Sequence, residues 1–402
     1  VEKNVGDVMK ALIIGYDVRH IASSARKAGH EVLAADCYCD LDLKESVPKA
    51  VRLNCDPQKP GDLVRAAKDL IKNAFDSDLP DVVVLGPGLE EMSVVGPRIL
   101  NNSSEKIAQV SDKLWLARWL GKEGYPFLRS EPLSDLTSSG LDVFDEWPVM
   151  VKPRKGAGGW MNSLAWTKDD IKKAGEQAKG DELIVQEWAE GKPASVSVVG
   201  TGKEATALVA NEQLIGEPWL GATGFRYCGN LTPLEPDSLS AEMMEMAESI
   251  TSGLGLVGSN GVDFLITKKG PVVLEVNPRF QGSLDSVELS CKINLFSAHR
   301  LSFDGILPER PKPQRSAGRA ILFADGKIKI EADLRKVTRW VADVPRTGSI
   351  AEKGDPLISI LAIGKDRQSV MELLQRRSAH LRKRCNSSLN TKARKKRYVN
   401  II

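Results

Sequence analysis

Short apolar runs broken by polar, glycine-bearing stretches dominate the first hundred residues. Lys10-Ala-Leu-Ile-Ile-Gly15 reads as a buried strand, Arg19 to Ala28 as a helix stopped by Gly29, and Glu31-Val-Leu-Ala-Ala-Asp36 as a second strand. Helical spacing from Pro60 to Phe75 leads into a further apolar strand, Asp81-Val-Val-Val-Leu85, and the loop Gly86-Pro-Gly88. Strands alternating with helices in this way predict a parallel sheet covered on both faces.

The pattern then changes. Ser111 to Lys122 reads as a helix ended by Gly124 and Pro126. Strand Val149-Met-Val-Lys152 runs into the loop Pro153-Arg-Lys-Gly-Ala-Gly-Gly-Trp160. A short strand, a helix from Lys168 to Lys179 and strand Leu183 to Glu187 follow, with short strands at 194–200 and 204–211. A Gly/Pro-rich stretch covers 215–236, and Ala241 to Ser252 is helical. Two strands, Gly261 to Thr267 and Pro271 to Val276, are joined by Lys268-Lys269-Gly270. Pro308 to Pro313 reads as a linker. Beyond it the pattern predicts a hairpin, Ala320 to Ala324 turning at Asp325-Gly326 into Lys327 to Ile330. Strand Leu357 to Ala362 and a helix from Asp366 to Arg384 close the series. No repeat of 20–50 residues is visible.

Composition narrows the class. With 42% hydrophobic and 27% charged residues the chain is globular, neither disordered nor a coiled coil. No apolar stretch reaches the length of a membrane span. The opening Val1-Glu-Lys-Asn-Val-Gly-Asp does not read as a signal peptide, and Val1 fits an initiator codon read as valine in a prokaryotic gene, with Met9 the physiological start. The expected location is the cytoplasm, and the six scattered cysteines are expected to be inert, reduced thiols. Cys37-Tyr-Cys39 lacks zinc-site spacing, and four histidines are too few for a zinc enzyme. Net charge is +3, yet ten Lys/Arg and no acid follow Glu372, leaving 46 basic and 53 acidic groups in residues 1–372. That acidic body argues against nucleic-acid binding by the core.

A dinucleotide site does not fit the first strand. Asp36 has the spacing of a ribose-binding acid, but Asp17 stands where a second glycine would let backbone approach pyrophosphate. The one literal G-x-G-x-x-G, at Gly253, Gly255 and Gly258, follows a helix and precedes a strand, the reverse of the required order. It reads as a helix stop and turn.

Candidate chemistry lies in Gly261-Val-Asp263-Phe-Leu-Ile and Val273-Leu-Glu275-Val-Asn277-Pro-Arg279. A hairpin centred near Lys269 pairs 267 with 271, 265 with 273 and 263 with 275. Asp263 and Glu275 then oppose each other, and Asn277 joins their face because strand side chains alternate. Opposed carboxylates repel, so the pattern implies a cation. An all-oxygen donor set fits Mg²⁺ held partly by phosphates. Lys152 ends an apolar strand just before Gly156, Gly158 and Gly159, a point charge and flexible loop suited to a triphosphate.

The order of Lys113, Lys152 with its glycine loop, Gln186-Glu187-Trp188-Ala189, Asp263 and Glu275-Val-Asn277-Pro-Arg279 resembles the ATP-grasp superfamily. Gly15-Tyr-Asp-Val-Arg19, Phe225-Arg-Tyr-Cys-Gly-Asn230 and Gly354-Asp-Pro-Leu-Ile-Ser-Ile look most like an uncharacterised archaeal and bacterial branch, the predicted ATP-dependent carboligases related to biotin carboxylase. The resemblance implies an α/β chain with an ATP-grasp fold: a Rossmann-like pre-ATP-grasp domain over 1–103, an ATP-grasp domain of two lobes over 104–304, and a small α+β C-terminal region with a basic tail over 305–402. It also implies ATP and Mg²⁺ (or Mn²⁺) as cofactors. Lys113 and Lys152 would contact phosphates, closed over by Gly156, Gly158 and Gly159. Gln186, Glu187, Trp188 and Ala189 would meet adenine, with Glu190 for ribose because Pro193 replaces the usual glutamate. Asp263, Glu275 and Asn277 would hold metal, with Lys152 and Arg279 at the γ-phosphate. Gly261 replaces an arginine found in some peptide-forming relatives.

The implied reaction joins a small-molecule carboxylate, activated as an acyl phosphate, to an amine or similar nucleophile. Arg226, Tyr227 and Asn230, within Asn211 to Pro233, are the candidate substrate contacts, with an arginine suited to clamp a carboxylate. Two other readings stay open: a bicarbonate-activating enzyme, and an ATP-binding module without turnover. A homo-oligomer is compatible with the sequence, and a membrane partner is not expected.

Overall fold

The computed structural model describes residues 8–55, 60–74, 79–134, 144, 146–156, 158, 159, 161–178 and 180–399, with side chains except at 60, 73, 74, 237 and 386–399. Residues 1–7, Phe75, Ala157, Trp160, Lys179 and residues 400–402, named above, lie outside that set.

Apolar runs at the start become five parallel strands in the spatial order Lys49–Arg52, Glu31–Asp36, Lys10–Ile14, Val82–Leu85, Arg98–Ile99. Both faces of the central strand are buried. Ala11 and Ile13 pack with Ile21, Ala22 and Ala25 of helix Arg19–Lys27, whereas Leu12 and Ile14 pack with Leu63, Ala67 and Ile71 of helix Pro60–Ala74. A strand covered twice has no polar side to display, hence the continuous run. Helix Leu41–Ser46 and strands Lys49–Arg52 and Arg98–Ile99 are too short to show a period, and the sequence did not reveal them.

Two antiparallel sheets follow. The smaller has the order Ser130–Pro132, Leu183–Glu187, Val149–Pro153, Ser163–Ala165, covered by helix Lys168–Gln177 through Ile171. The larger runs Gly270–Asn277, Val257–Thr267, Lys192–Thr201, Ala205–Ile215, Tyr227–Thr232, Ser316–Phe323, Pro356–Gly364, Val341–Ala342. Helix Ser240–Gly253 buries Met243, Ala247 and Ile250 against it.

Several expectations need correction. The Gly/Pro-rich stretch holds strand Tyr227–Thr232, whose residues after Tyr227 are buried in the middle of the large sheet. The expected hairpin at Asp325-Gly326 does not form. Ser316–Phe323 pairs with Pro356–Gly364, and Ile328–Lys329 pairs with Ile350–Ala351. Both alternatives bury apolar partners distant in sequence, which outweighs a local turn signal. Helices Leu284–Cys291 and Leu295–Ser302 were not anticipated. Residue 305 does not interrupt the sheet, because Ser316–Phe323 hydrogen-bonds to Tyr227–Thr232. The last helix spans Arg367–Val399 and outruns the expected end at Arg384. It docks through Val370, Leu374 and Leu381. Gly253 ends its helix and Gly258 opens the next strand region, as the turn reading requires. All six cysteines are free thiols.

Candidate active site

A cavity of about 980 Å³ opens between the small sheet, the large sheet and the carboxyl ends of the parallel strands. Lys113, Lys152, Gly158, Gly159, Gln186, Glu187, Trp188, Ala189, Glu190, Tyr227, Asp263, Glu275, Asn277 and Arg279 all line it. Residues spread over more than 160 positions thus meet around one space.

The metal-type face forms by an unexpected route. The turn is the two-residue Lys268-Lys269, with Thr267 opposite Gly270, so the expected pairs 267 with 271 and 265 with 273 are wrong by one. A bulge at Leu274 then restores the step, and Asp263 lies opposite Glu275. Asp263 accepts from Gln213 Nε2 and from Asn277 Nδ2, each at 3.0 Å. Burial and the facing Glu275 carboxylate push its pKa up to about 7. Asn277 Oδ1 faces Arg279 at 3.3 Å. Two opposed carboxylates and an amide oxygen, free of sulfur or imidazole, fit a hard divalent ion.

Opposite stand the lysines. Lys152 Nζ donates to Gln186 Oε1 at 2.8 Å, and Gln186 Nε2 donates to Ser130 Oγ at 2.8 Å. That chain fixes the ammonium without neutralising it. Burial first, then Lys113, lower the Lys152 pKa to about 8. Lys113 begins helix Lys113–Glu123, which Asp112 caps through Leu114 and Trp115 N–H. Asp112 is also clamped by Arg154 Nε and Nη2 at 2.9 and 2.6 Å. Lys113 Nζ donates to Gly156 O at 2.7 Å and stands 3.9 Å from Glu275. A strand-end cation, a helix-start cation and the glycine loop are therefore one unit.

The glycine loop is pressed against the next lobe. A Cβ on Gly159, at φ +74°, would meet Phe225 O at 1.9 Å, and Tyr227 N donates to Gly158 O at 3.3 Å. Phe225 in turn meets Trp188 edge-on at 5.7 Å between centroids. Gly261 has a packing reason too: Gln281, tied to Arg279 O, occupies the space a side chain there would need. Arg279 pairs with Glu90 at 3.1 Å, a partner from the segment between strands Val82–Leu85 and Arg98–Ile99 that no local pattern announces.

The substrate candidates separate. Tyr227 lines the cavity. Arg226 does not: its guanidinium stacks 4.0 Å over Phe323 and donates to Gly354 O at 2.6 Å. Asn230 is buried beneath, bonded to Thr232, Ser286 and Tyr227.

Sequence reasoning missed the other end of the cavity, where Tyr16, Asp17, His20, Tyr38, Asp40, Arg319, Asp343 and Ser359 line the wall. Arg19 makes a bidentate pair with Asp285 at 2.8 and 2.6 Å and reaches Asp343 at 2.7 Å. Arg319 also reaches Asp343 at 2.7 Å. The usable signal was the segment Gly15-Tyr-Asp-Val-Arg19 together with Gly354-Asp-Pro-Leu-Ile-Ser-Ile, since both meet here. Asp36 instead accepts from Val18, Tyr38 and Cys39 N–H, a loop-building role.

Comparison with known proteins bears on the family and the fold. Residues 110–283 match the family described as ATP-grasp domain. An uncharacterized protein of Methanocaldococcus jannaschii is 25% identical over 371 residues, 89% of each chain. A formate-dependent phosphoribosylglycinamide formyltransferase of Prochlorococcus marinus is 24% identical over 340 residues, 78% of this chain and 79% of its own. Biotin carboxylase of Campylobacter jejuni, solved as a β,γ-ATP complex, superposes with a TM-score of 0.72 at 15% identity, over 92% of this chain and 90% of its own. That last likeness speaks to fold alone.

Proposed function

We propose, from the match of residues 110–283 to the ATP-grasp domain, an ATP- and Mg²⁺-dependent ligase that joins a carboxylate to an amine or similar nucleophile. The observation that carries the reading is the meeting of Asp263 and Glu275 with Lys113 and Lys152 around one cavity. Asp263, Glu275 and Asn277 would hold the metal, which supplies charge neutralisation between phosphates when bound. Lys152 and Lys113 sit where phosphate oxygens would bring the missing anions. Their charges, with Arg279, stabilise a phosphoryl group in transfer.

In that reading a substrate carboxylate oxygen attacks the γ-phosphorus, the bond to the ADP oxygen breaks, and an acyl phosphate forms. A nitrogen then attacks the acyl carbon, phosphate leaves, and the nitrogen gives up a proton. The acyl phosphate is prone to hydrolysis, so the loop of Gly156, Gly158 and Gly159, packed on Phe225 through Gly159, would exclude water. Glu187 to Ala189 border the cavity where adenine would lie, with Glu190 nearest a ribose role. No helix is long and apolar enough to cross a membrane among the described residues.

The test is release of ADP and phosphate from Mg·ATP across a panel of small carboxylates, bicarbonate and amines. Release that requires one carboxylate and one amine is expected. Release driven by bicarbonate alone would favour a carboxylating enzyme, and no release with any pair would sink the ligase reading.

A further inference from the structure

Doubly wound sheets bind ligands in the crevice at the carboxyl ends of their strands, where the strand order reverses. Here the order reverses at strand Lys10–Ile14, which has Glu31–Asp36 on one side and Val82–Leu85 on the other. The crevice opens into the cavity through Tyr16, Asp17, His20, Tyr38 and Asp40. A phosphate-binding crevice offers glycines and free N–H groups. This one offers carboxylates.

The nearby guanidiniums are held chiefly by other acids, although among the described residues Arg319 Nε has no hydrogen-bond partner. Arg19 is bound by Asp285 and Asp343 and lies 3.5 Å from Asp42, and Arg319 is held by Asp343 and the Gly282 carbonyl. Asp36 is consumed by three backbone N–H groups. Asp17 accepts only a long bond from Arg19 N at 3.4 Å. Asp40 is 7% exposed and makes no side-chain hydrogen bond or ion pair among the described residues. His20, 5% exposed, has Nδ1 without a partner. A carboxylate buried without a partner is costly, and Asp40 stands in that position, with the half-buried Asp17 among the acids that raise its pKa further.

We propose that this end of the cavity is a cation subsite that takes the protonated amine of an amine-bearing substrate. The inference deepens the ligase reading by assigning a place in the cavity to the amine-bearing substrate, and it rests on that reading for its purpose. An ammonium group has three donors and no acceptor. Asp17, Asp40 and the imidazole of His20 supply acceptors of that number. Burial and the guanidinium groups of Arg19 and Arg319 lower the His20 pKa to about 3, so the ring stays neutral and does not compete as the cation. Tyr16 and Tyr38, edge-to-face at 5.3 Å and bonded through their hydroxyls at 2.6 Å, add aromatic walls of the kind that suit an alkylammonium. Burial and the neighbouring acids push the Asp40 and Asp17 pKa values up to about 9 and about 8. A bound cation reverses that, which is the electrostatic gain available to the ligand.

Calorimetry on the full chain with n-butylamine and 1,4-diaminobutane, against butan-1-ol and butyrate, tests the idea. Both amines are expected to bind, the alcohol and the acid not. Asp40→Asn and, independently, the more exposed Asp17→Asn should each weaken amine binding at least tenfold. Affinity for a Mg·ATP analogue should change less than threefold in either. Amines binding no better than butan-1-ol, or undiminished in both variants, would overturn the subsite. Amine binding that depends on Asp40 in a protein that binds no Mg·ATP analogue would instead remove the ligase reading and leave the subsite standing.

Discussion

The two ends of the cavity handle charge in opposite ways. At the phosphate end, charge is left open on both sides: Asp263 and Glu275 face Lys113 and Lys152 across space, with only the 3.9 Å approach of Lys113 to Glu275 between them. At the sheet end, Arg19 and Arg319 are locked to Asp285 and Asp343 by contacts of 2.6–2.8 Å spanning up to 324 positions of sequence. One end waits for ligand charges. The other is a buried strut joining helix Arg19–Lys27, helix Leu284–Cys291 and the C-terminal strands, with Asp17 and Asp40 on its rim.

The contrast breaks most sharply at the metal face. Glu275→Gln removes one of the opposed charges and relieves repulsion, so the fold should hold while Mg²⁺-dependent ATP turnover falls on the order of 10²-fold or more. Steady-state ADP release with circular dichroism on the same sample checks this, and near wild-type turnover would cancel the metal assignment. Arg19→Leu should act the other way, on stability. Removing the guanidinium leaves Asp285 and Asp343 buried without it, a loss of roughly 3–5 kcal/mol measured by urea unfolding. A loss under about 1 kcal/mol would mean the strut carries little load.

Asp40→Asn separates rim from strut. Burial, then Asp343, Asp17, Asp36 and Asp42, raise the Asp40 pKa from 3.8 to about 9. Such a group binds more protons folded than unfolded. Its contribution is full below about pH 4 and lost as pH rises through about 9. The asparagine variant escapes that penalty, so its Tm should exceed wild type by on the order of 2 °C at pH 8 and by less at pH 5. A fall in Tm at both values would show that Asp40 is part of the strut. The smallest effect is expected from the tail. Deleting 386–402 removes nothing that lines the cavity among the described residues, and should leave Mg·ATP affinity within about threefold, on the order of 0.65 kcal/mol.

Legibility followed sequence distance. Lys152 with its glycines, and Asp263 with Glu275, each lie on one strand or one hairpin, where period-2 alternation assigns a face. The parallel strands were readable because double burial leaves an unbroken apolar run. Arg319 and Asp343 were invisible, because their strands gain meaning only by joining a sheet begun more than a hundred residues earlier. Strand Tyr227–Thr232 was hidden by flanking glycines and prolines that serve the turns at its ends. Arg226, a reasonable carboxylate clamp by type, is diverted because Phe323 and Gly354 reach it first.

The bulge at Leu274 has a consequence for how such a wall is assembled. In an unbroken strand, neighbours point to opposite sides. Here Val273 goes to the core while both Leu274 and Glu275 border the cavity. Were Leu274 deleted, Val273 would still face Phe264 and Glu275 would still face Asp263. The acid pair would survive, and only an oily surface beside it would vanish. Gaining or discarding a single codon therefore adjusts the greasy part of this wall while the oxygen donors stay in place, so the two can be tuned one at a time.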